Sequence, residues 1–389
     1  MLKDLDIVRK GTVEIISLEE LKEKLKRKKS LRVKFGADPT APDIHLGHTV
    51  VLQKLRQFQD SGHQIVFIIG DFTARIGDPS ARYETRKPLT PGEIERNAKT
   101  YQKQVFKILD KQATEVLFNS RWLDKMKLSD VMKLSSHCTV AQMLARADFK
   151  ERFDREIDIS ILEFIYPLLQ AYDSIQVKAD VEIGGTDQKF NLLMGRELQR
   201  DFGQKPQVII TMPLLEGIDG TRKMSKSYGN YIGITEPPGE IFGKIMSISD
   251  QLMLRYYELL TDENLDEIKR FHPRQAKAKL AREIVRKYYG EDKAEEAEEE
   301  FDKIFVKRKV PEEIEEIRIP QKKVWVVDLL VRAGLATSKN EAKRLIAQGG
   351  VKINQKTIRN SDMDLLMDKE YIVQVGKRRF RRIAQAKTN

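Results

Sequence analysis

The stretch TRKMSKSYGN (221–230) sets Lys223 and Lys226 on either side of a Met-Ser pair, with Gly220 and Gly229 available as hinges. It is too short and too polar to be core. Two ammonium groups at this spacing suit a solvated loop or a loop that handles phosphate. A second candidate lies in APDIHLGHTV (41–50), where His45 and His48 stand three apart about Gly47, as a Pro-rich turn gives way to helical patterning. Residues three apart share a helix face, and a helix start turns free N–H groups and a positive dipole end toward anions. A glycine there lets a flat ring or a phosphate approach the backbone closely. Two imidazoles donating hydrogen bonds to a phosphoryl group would stabilise its shifting charge in a transition state. Taken alone, the pair reads equally well as two histidines on a surface turn.

Two further clusters carry polar groups in order. In GDFTARIGDPSARYETRKPLT (70–90), Asp78 lies in a Gly-Asp-Pro turn and could accept from an ammonium, while Arg82 and Arg86 follow on a polar loop. Arginine suits phosphate because its fork reaches two oxygens at once; a charged surface loop would read the same way. In YPLLQAYDSIQVKADVEIGGTDQKFN (166–191), Tyr166, Gln170 and Asp173 fall at i, i+4 and i+7. That stripe of a helix carries a phenol, an amide and a carboxylate. Polar groups on a buried stripe need partners, and a ligand can be one. Gly184 and Gly185 would admit a sugar close to the backbone, and Asp187 stands where it could accept from ribose hydroxyls.

A frame must position these groups. LRVKFGAD (31–38), QIVFIIGDF (64–72), ATEVLFNS (113–120), QVKADVEIGG (176–185) and QVIITMPLL (207–215) read as buried strands separated by helical stretches. This alternation predicts an α/β fold: a Rossmann-like doubly wound parallel sheet over residues 1–235, with its ligand beyond the carboxyl ends of the strands. Residues 121–165 interrupt the alternation with helical patterning and read as an insertion. Residues 236–310 read as a helical domain ending in the acidic EDKAEEAEEEFDKIF (291–305), a solvated helix face. VPEEIEEIRIP (310–320) reads as a charged, extended linker over 311–321. Residues 322–389 then read as a small α+β module of helix, turn, amphipathic helix, Gly-Gly stop and strand.

Composition narrows the classes. A chain of 389 residues with 40% hydrophobic content can bury more than one domain. A lone cysteine, Cys138, excludes an internal disulfide framework, and five scattered histidines give no zinc spacing. The charged N-terminus is unlike a secretory signal, no apolar run is long enough to span a membrane, and a soluble cytoplasmic protein is expected. The net charge of +11 is uneven: residues 321–389 carry 16 Lys and Arg against 6 Asp and Glu. That basic tail on a nearly neutral body is the footprint of a nucleic-acid-binding appendage.

Together, HLGH (45–48) and an intact KMSKS (223–227), in that order on a doubly wound sheet, resemble the class I aminoacyl-tRNA synthetases. Within the class, YPLLQAYD followed by IGGTDQ, with GADPTAPDIHLGH upstream, resembles the tyrosyl-tRNA synthetases. The C-terminal module resembles the RNA-binding module shared with a ribosomal small-subunit protein and some pseudouridine synthases. The resemblance covers essentially the whole chain. It implies L-tyrosine, ATP with Mg2+, and tRNA(Tyr) as partners, and a homodimer formed through residues 121–165.

The resemblance also implies roles at matching positions. His45 and His48 would stabilise the α-phosphate of ATP under attack by the tyrosine carboxylate, and Lys223 and Lys226 would hold the departing pyrophosphate. Arg82 and Arg86 would assist from a mobile loop, although relatives often have lysine at the Arg82 position. Asp78, Tyr166 and Gln170 would hold the substrate ammonium and Asp173 would accept from the phenolic hydroxyl. Gly47, Gly185, Asp187 and Gln188 would line the adenosine and ribose side, above a turn containing Asp38 and Thr40. Lys34 stands where many members place a tyrosine that contacts the substrate hydroxyl. A lysine there would donate to the phenolic oxygen or turn to solvent.

The implied chemistry is tyrosyl-adenylate formation followed by transfer to the terminal adenosine of the tRNA, with catalysis by positioning and electrostatics. Two alternatives share features of this reading. Tryptophanyl enzymes have the same fold and motifs, but Asp173 behind Gln170 and the basic module argue against them. A catalytically silent RNA-binding protein is disfavoured by intact His45, His48, Lys223 and Lys226.

Overall fold

The computed structural model of the chain describes residues 5, 8–40, 42–80, 89–305, 314–376 and 379–386. The chain divides into two compact units, residues 1–295 and 296–389.

The first unit is built on a six-stranded sheet. Its strands are β1 (Glu14–Ile16), β2 (Arg32–Ala37), β3 (Gln64–Ile69), β4 (Thr114–Phe118), β5 (Val181–Gly185) and β6 (Val208–Met212), in spatial order β1-β6-β5-β2-β3-β4. The five strands expected from the apolar runs are all present and all parallel. β1 was not foreseen. It pairs antiparallel with β6 along one edge, Glu14 opposite Thr211 and Ile16 opposite Ile209. Three residues are too few to show a periodicity, so this edge strand left no pattern to read. Five consecutive residues of β3 and all five of β6 are buried, as the interior strands of a sheet covered on both faces must be. Chain order reverses between β2 and β5, and the crevice for a ligand opens beyond their carboxyl ends.

Three helices carry the residues of interest. They are α1 (Leu46–Asp60), α2 (Ile161–Gln176) and α3 (Lys189–Asp201). Ser160 caps α2 and Glu163 reaches back to the Ser160 N–H, so a capping box sets where the helix begins. Residues 121–165 form short helices, Leu128–Ser135, Val140–Leu144 and Ala147–Asp154, whose Leu134, Met143 and Phe149 join a core with Leu168 and Leu169 of α2 and Met194 and Leu198 of α3. Arg152, fully buried there, pairs with Glu163 at 2.5 Å and also donates to the Asp158 carbonyl. The same segment leaves Leu128, Met132, Val140, Phe153, Ile161 and Leu162 exposed.

The helices Pro238–Ser247, Asp250–Leu260 and Pro273–Tyr289 belong to the same compact unit as the sheet. The Tyr256 hydroxyl donates to the Glu216 carbonyl at 2.8 Å and Tyr289 to the Glu236 carbonyl at 2.7 Å, tying this helical region to the segment after β6. The expected boundary at 235/236 is thus no break between compact units. The second unit centres on helices Val326–Arg332 and Lys339–Ala347 and a five-stranded sheet. One of its strands is Glu316–Ile319, which pairs parallel with Arg379–Gln385 and buries Ile319. That stretch was expected within a linker. The alternation of Ile317 and Ile319 with Glu316 and Arg318 is a strand signal, outweighed in the sequence by its high charge.

Candidate active site

The site is assembled from the carboxyl ends of β2, β3, β5 and β6, the start of α1, one face of α2, and the loop after β6. A cavity of about 360 Å³ there is lined by Asp38, Thr40, His45, Gly47, His48, Asp78, Tyr166, Gln170, Asp173, Gly185, Asp187, Gln188, Lys223 and Lys226 among others. The structure therefore gathers all but three of the side chains singled out from the sequence. Arg82 and Arg86 lie outside the described residues. The third, Lys34, is placed elsewhere.

At the buried end the carboxylates are held by neutral donors. Asp38 accepts from the Thr73 hydroxyl at 2.7 Å and from the Tyr166 phenol at 2.9 Å. Gly70 makes this possible, since a Cβ on it would collide with the Asp38 carboxylate and the Thr73 hydroxyl. Asp173 accepts from Trp122 Nε1 at 2.8 Å and from Asn119 Nδ2 at 3.2 Å. Asp78 accepts from Gln188 Nε2 at 2.7 Å, and Asn191 Nδ2 bridges Gln188 Oε1 at 3.2 Å and Gln170 Oε1 at 2.9 Å. Of the three groups expected together around an ammonium, Gln170 and Asp78 are joined through Asn191 and Gln188, and Tyr166 is tied separately to Asp38. Thr73, Asn119, Trp122 and Asn191 were not picked out. Asn191 stands three residues after Gln188, a spacing that could have extended the polar stripe onto α3.

Burial pushes the Asp38 carboxyl up to about 7, with the charges of Asp78 and Asp173 adding to the rise and the two hydrogen bonds opposing it. Burial likewise raises Asp173 to about 6, against the pull of Lys34 and its two donors. Such a cluster is poorly neutralised by the protein and is primed for a cation.

Lys34 neither reaches the cavity nor faces solvent. Its side chain is wholly buried beneath α2, where Nζ donates to the Gln170 carbonyl at 3.0 Å and Ser174 Oγ at 2.7 Å and pairs with Glu182 Oε1 at 2.8 Å. An ammonium has three N–H donors, and these partners account for all of them. The expectation that Lys34 binds a substrate hydroxyl is corrected on that ground.

At the other end, His45 caps α1 in extended conformation and its ring lies 3.8 Å, centroid to centroid, from that of His48. The His45 backbone N–H donates to His48 Nδ1 at 3.3 Å, which leaves the His48 proton on Nε2. Burial lowers His48 to about 4 and His45 well below its ordinary range, the Lys226 charge acting in the same direction on both. Both rings are neutral near pH 7, so each carries one N–H to offer as a hydrogen-bond donor. His45 Nδ1 is buried without a partner among the described residues.

Opposite them the lysine loop is shaped by Asn230, whose Oδ1 accepts from the Ser225 N–H at 2.8 Å and whose Nδ2 donates to Asp219 Oδ2 at 2.9 Å. Met224 is buried and plants the middle of the loop, while its N–H donates to the Leu215 carbonyl at 2.8 Å. Lys223 pairs with Asp187 at 3.1 Å and Lys226 pairs with Asp43, so both ammonium groups rest on carboxylates at the rim of the cleft.

Neutral imidazoles at a helix start, facing two lysines across the switch point of a doubly wound sheet, are the arrangement expected from the resemblance to the class I synthetases. The comparisons agree: the family described as tRNA synthetases class I (W and Y) matches residues 26–306, and the S4 domain matches 324–367. The chain belongs to the class I tRNA synthetases, in the tryptophan and tyrosine branch. A tyrosine–tRNA ligase of Thermotoga maritima is 53% identical, the match covering 98% of this chain and 97% of the relative. One of Geobacter metallireducens is 55% identical, with 97% of each chain covered. The tyrosyl-tRNA synthetase of Archaeoglobus fulgidus, solved with L-tyrosine, superposes with a TM-score of 0.63 at 25% identity, covering 76% of this chain and 99% of that one.

The buried acid gives a signed prediction. Asp38 ionises near 3.8 in an unfolded chain and near 7 in the folded one, so its ionisation costs native stability progressively between those values and fully above them. Asp38→Asn should therefore raise Tm more at about pH 8 than at about pH 5. Thermal unfolding at both pH values measures this, and equal differences at the two would refute it.

Proposed function

We propose that the chain is a tyrosine–tRNA ligase: it joins L-tyrosine to ATP as tyrosyl-adenylate, releasing pyrophosphate, and passes tyrosine to the terminal adenosine of tRNA(Tyr). The observation that carries this is the polarity of the cleft, with a buried carboxylate cluster around Tyr166 and Asp173 at one end and His45, His48, Lys223 and Lys226 at the other. The full-length similarity to tyrosine–tRNA ligases supports the choice of amino acid.

In this reading the substrate ammonium enters among Asp78, Tyr166 and Gln170 and meets the charge that Asp38 and Asp78 leave uncompensated. The phenolic hydroxyl donates to Asp173. A carboxylate has lone pairs to spare beyond those used by Trp122 and Asn119. Phenylalanine would leave that desolvated acceptor without the partner it is built for, which disfavours its binding. With tyrosine so held, its carboxylate is presented to the α-phosphorus of ATP, and adenosine lies along Gly185, Asp187 and Gln188 with Asp38 and Thr40 beneath. His45 and His48 donate to the phosphoryl oxygens. Lys223 and Lys226 leave Asp187 and Asp43 for the β- and γ-phosphates and stabilise the leaving pyrophosphate. Arg82 and Arg86 are assigned to the same step from sequence. Magnesium arrives with ATP; among the described residues no three His, Cys, Asp or Glu side chains converge to hold an ion.

The basic residues 321–389 and the match to an S4 domain support tRNA contact through the second unit. The exposed Leu128, Met132, Val140, Phe153, Ile161 and Leu162 support a homodimer through the insertion, since an apolar patch of this kind marks an interface. No helix among the described residues is long and apolar enough to cross a membrane, and a cytoplasmic location is inferred from the function.

ATP–pyrophosphate exchange tests the reaction: it should depend on tyrosine, and Lys226→Ala should lower its kcat by about a hundredfold with little change in tyrosine affinity. Dependence on tryptophan instead, or equal losses in both parameters, would reject the assignment. Removing residues 307–389 should abolish tRNA charging and leave exchange largely intact; charging that survives the truncation would exclude the second unit as the tRNA anchor. Sedimentation at micromolar concentration should give the dimer mass, and a monomer would count against the insertion as interface.

A further inference from the structure

Lys34 stands outside the cavity, yet it is the hub of a polar network that runs directly beneath it. Its Nζ donates to the Gln170 carbonyl and to Ser174 Oγ, both on α2 and both within four residues of Asp173. Ser174 Oγ in turn donates to Glu182 Oε2 at 3.0 Å, on β5, and Gln207 Nε2 donates to the same oxygen. Gln207 is itself held by Gln199 of α3, whose Oε1 accepts from the Gln207 N–H at 2.7 Å and whose Nε2 donates to the Ala179 carbonyl at 3.0 Å. Lys34, Ser174, Glu182, Gln199 and Gln207 are all at most 2% exposed. A well-packed apolar cluster would hold a helix on a sheet at lower cost than a buried ion pair does. The pair is therefore better explained by something that charge and direction supply.

We propose that Lys34 is a positioning and specificity residue for the reaction assigned above: its ammonium clamps α2 to β2 and β5 at the turn that bears Gln170 and Asp173, and its positive charge keeps Asp173 an anion for the substrate hydroxyl. This rests on tyrosine being the substrate. The charged groups facing Asp173 are Lys34 and Asp38 from β2 and its carboxyl end and Glu182 from β5; the segment after β4 contributes neutral donors, Asn119 and Trp122. Two of the three charges oppose ionisation of Asp173, and Lys34 favours it. Lys34 thereby replaces the direct contact expected at this position with an indirect one. It tunes the acceptor from behind and leaves the pocket wall free.

The test compares wild type with the double variant Lys34→Met/Glu182→Gln, which removes both members of the pair and leaves no unpaired buried charge. The readouts are melting temperature and tyrosine- and phenylalanine-dependent ATP–pyrophosphate exchange as a function of pH. The expected result is a cooperative melt, an unchanged KM for ATP, and a KM for tyrosine raised by about tenfold. The preference for tyrosine over phenylalanine should fall, and the pH below which tyrosine binding weakens should move up, because the favourable charge of Lys34 on Asp173 outweighs the opposing charge of Glu182 that is removed with it. A folded double variant with wild-type KM for tyrosine, preference and pH midpoint would overturn the inference, leaving Lys34 as a neutraliser of Glu182. Should the double variant fail to fold, Ser174→Ala removes one of the clamp's hydrogen bonds and keeps both charges. It should raise the KM for tyrosine without moving the pH midpoint, and an unchanged KM overturns the clamp. Absence of tyrosine-dependent exchange in the wild type would instead bring down the ligase reading, and this inference with it.

Discussion

Three carboxylates, Asp38, Asp78 and Asp173, are drawn together where β2 and β5 part, and among the described residues no lysine or arginine forms an ion pair with any of them. They are held by a hydroxyl, a phenol, amides, an indole and a backbone N–H. Neutral donors satisfy the directions of a carboxylate without cancelling its charge. The folded chain therefore keeps an uncompensated negative potential in a partly desolvated cleft, at a cost that shows in the raised acidities of Asp38 and Asp173. Much of the surrounding architecture serves this constraint: the glycine at the end of β3, the stripe on α2, and the Asn191 bridge from α3. In the proposed reaction the ammonium of the amino acid supplies the missing cation, so binding and neutralisation coincide.

The opposite end of the cleft is organised by the reverse principle. There the groups at the helix start are neutral and the positive charges are on a loop. Burial and the nearby Lys226 charge keep His45 and His48 unprotonated, so they offer directed N–H donors without attracting an anion strongly in the ground state. Lys223 and Lys226 carry the positive charge, but each already has a carboxylate partner, Asp187 or Asp43. In the proposed reaction a triphosphate exchanges those partners for its own oxygens. Both pairs lie at the partly exposed rim of the cleft, where an ion pair contributes only modestly in water, so that exchange is inexpensive.

How far the sequence could be read follows from where each signal is stored. The five parallel strands were legible because each is a run of apolar residues bounded by turn residues, and the cleft followed from their order. His45, His48, Lys223 and Lys226 were legible because short motifs keep them close in sequence. The residues that escaped are those whose meaning is purely spatial. Asn191 matters only because α3 packs beside α2, and Trp122 because the insertion returns its indole to Asp173. Lys34 was misread for the same reason: position along β2 says that a side chain points at α2, and only packing reveals that Glu182 waits for it on the neighbouring strand. The strand Glu316–Ile319 escaped because its partner, Arg379–Gln385, lies some sixty residues away and its own charge reads as linker.

The two ends of the cleft also differ in how firmly they are built, and the difference has a chemical sense. The end proposed for tyrosine stands on buried strands, on a capped helix and on a network in which nearly every polar atom has a fixed partner. The end proposed for phosphate includes a partly exposed loop held mainly by Asn230 and Met224. Displacement at phosphorus needs the attacking carboxylate fixed to within a fraction of an ångström, whereas the pyrophosphate it expels travels during the reaction. A rigid seat for the nucleophile and a pliant one for the leaving group match those two demands. Exchanging the two would hold the product that must depart and loosen the group whose aim sets the rate.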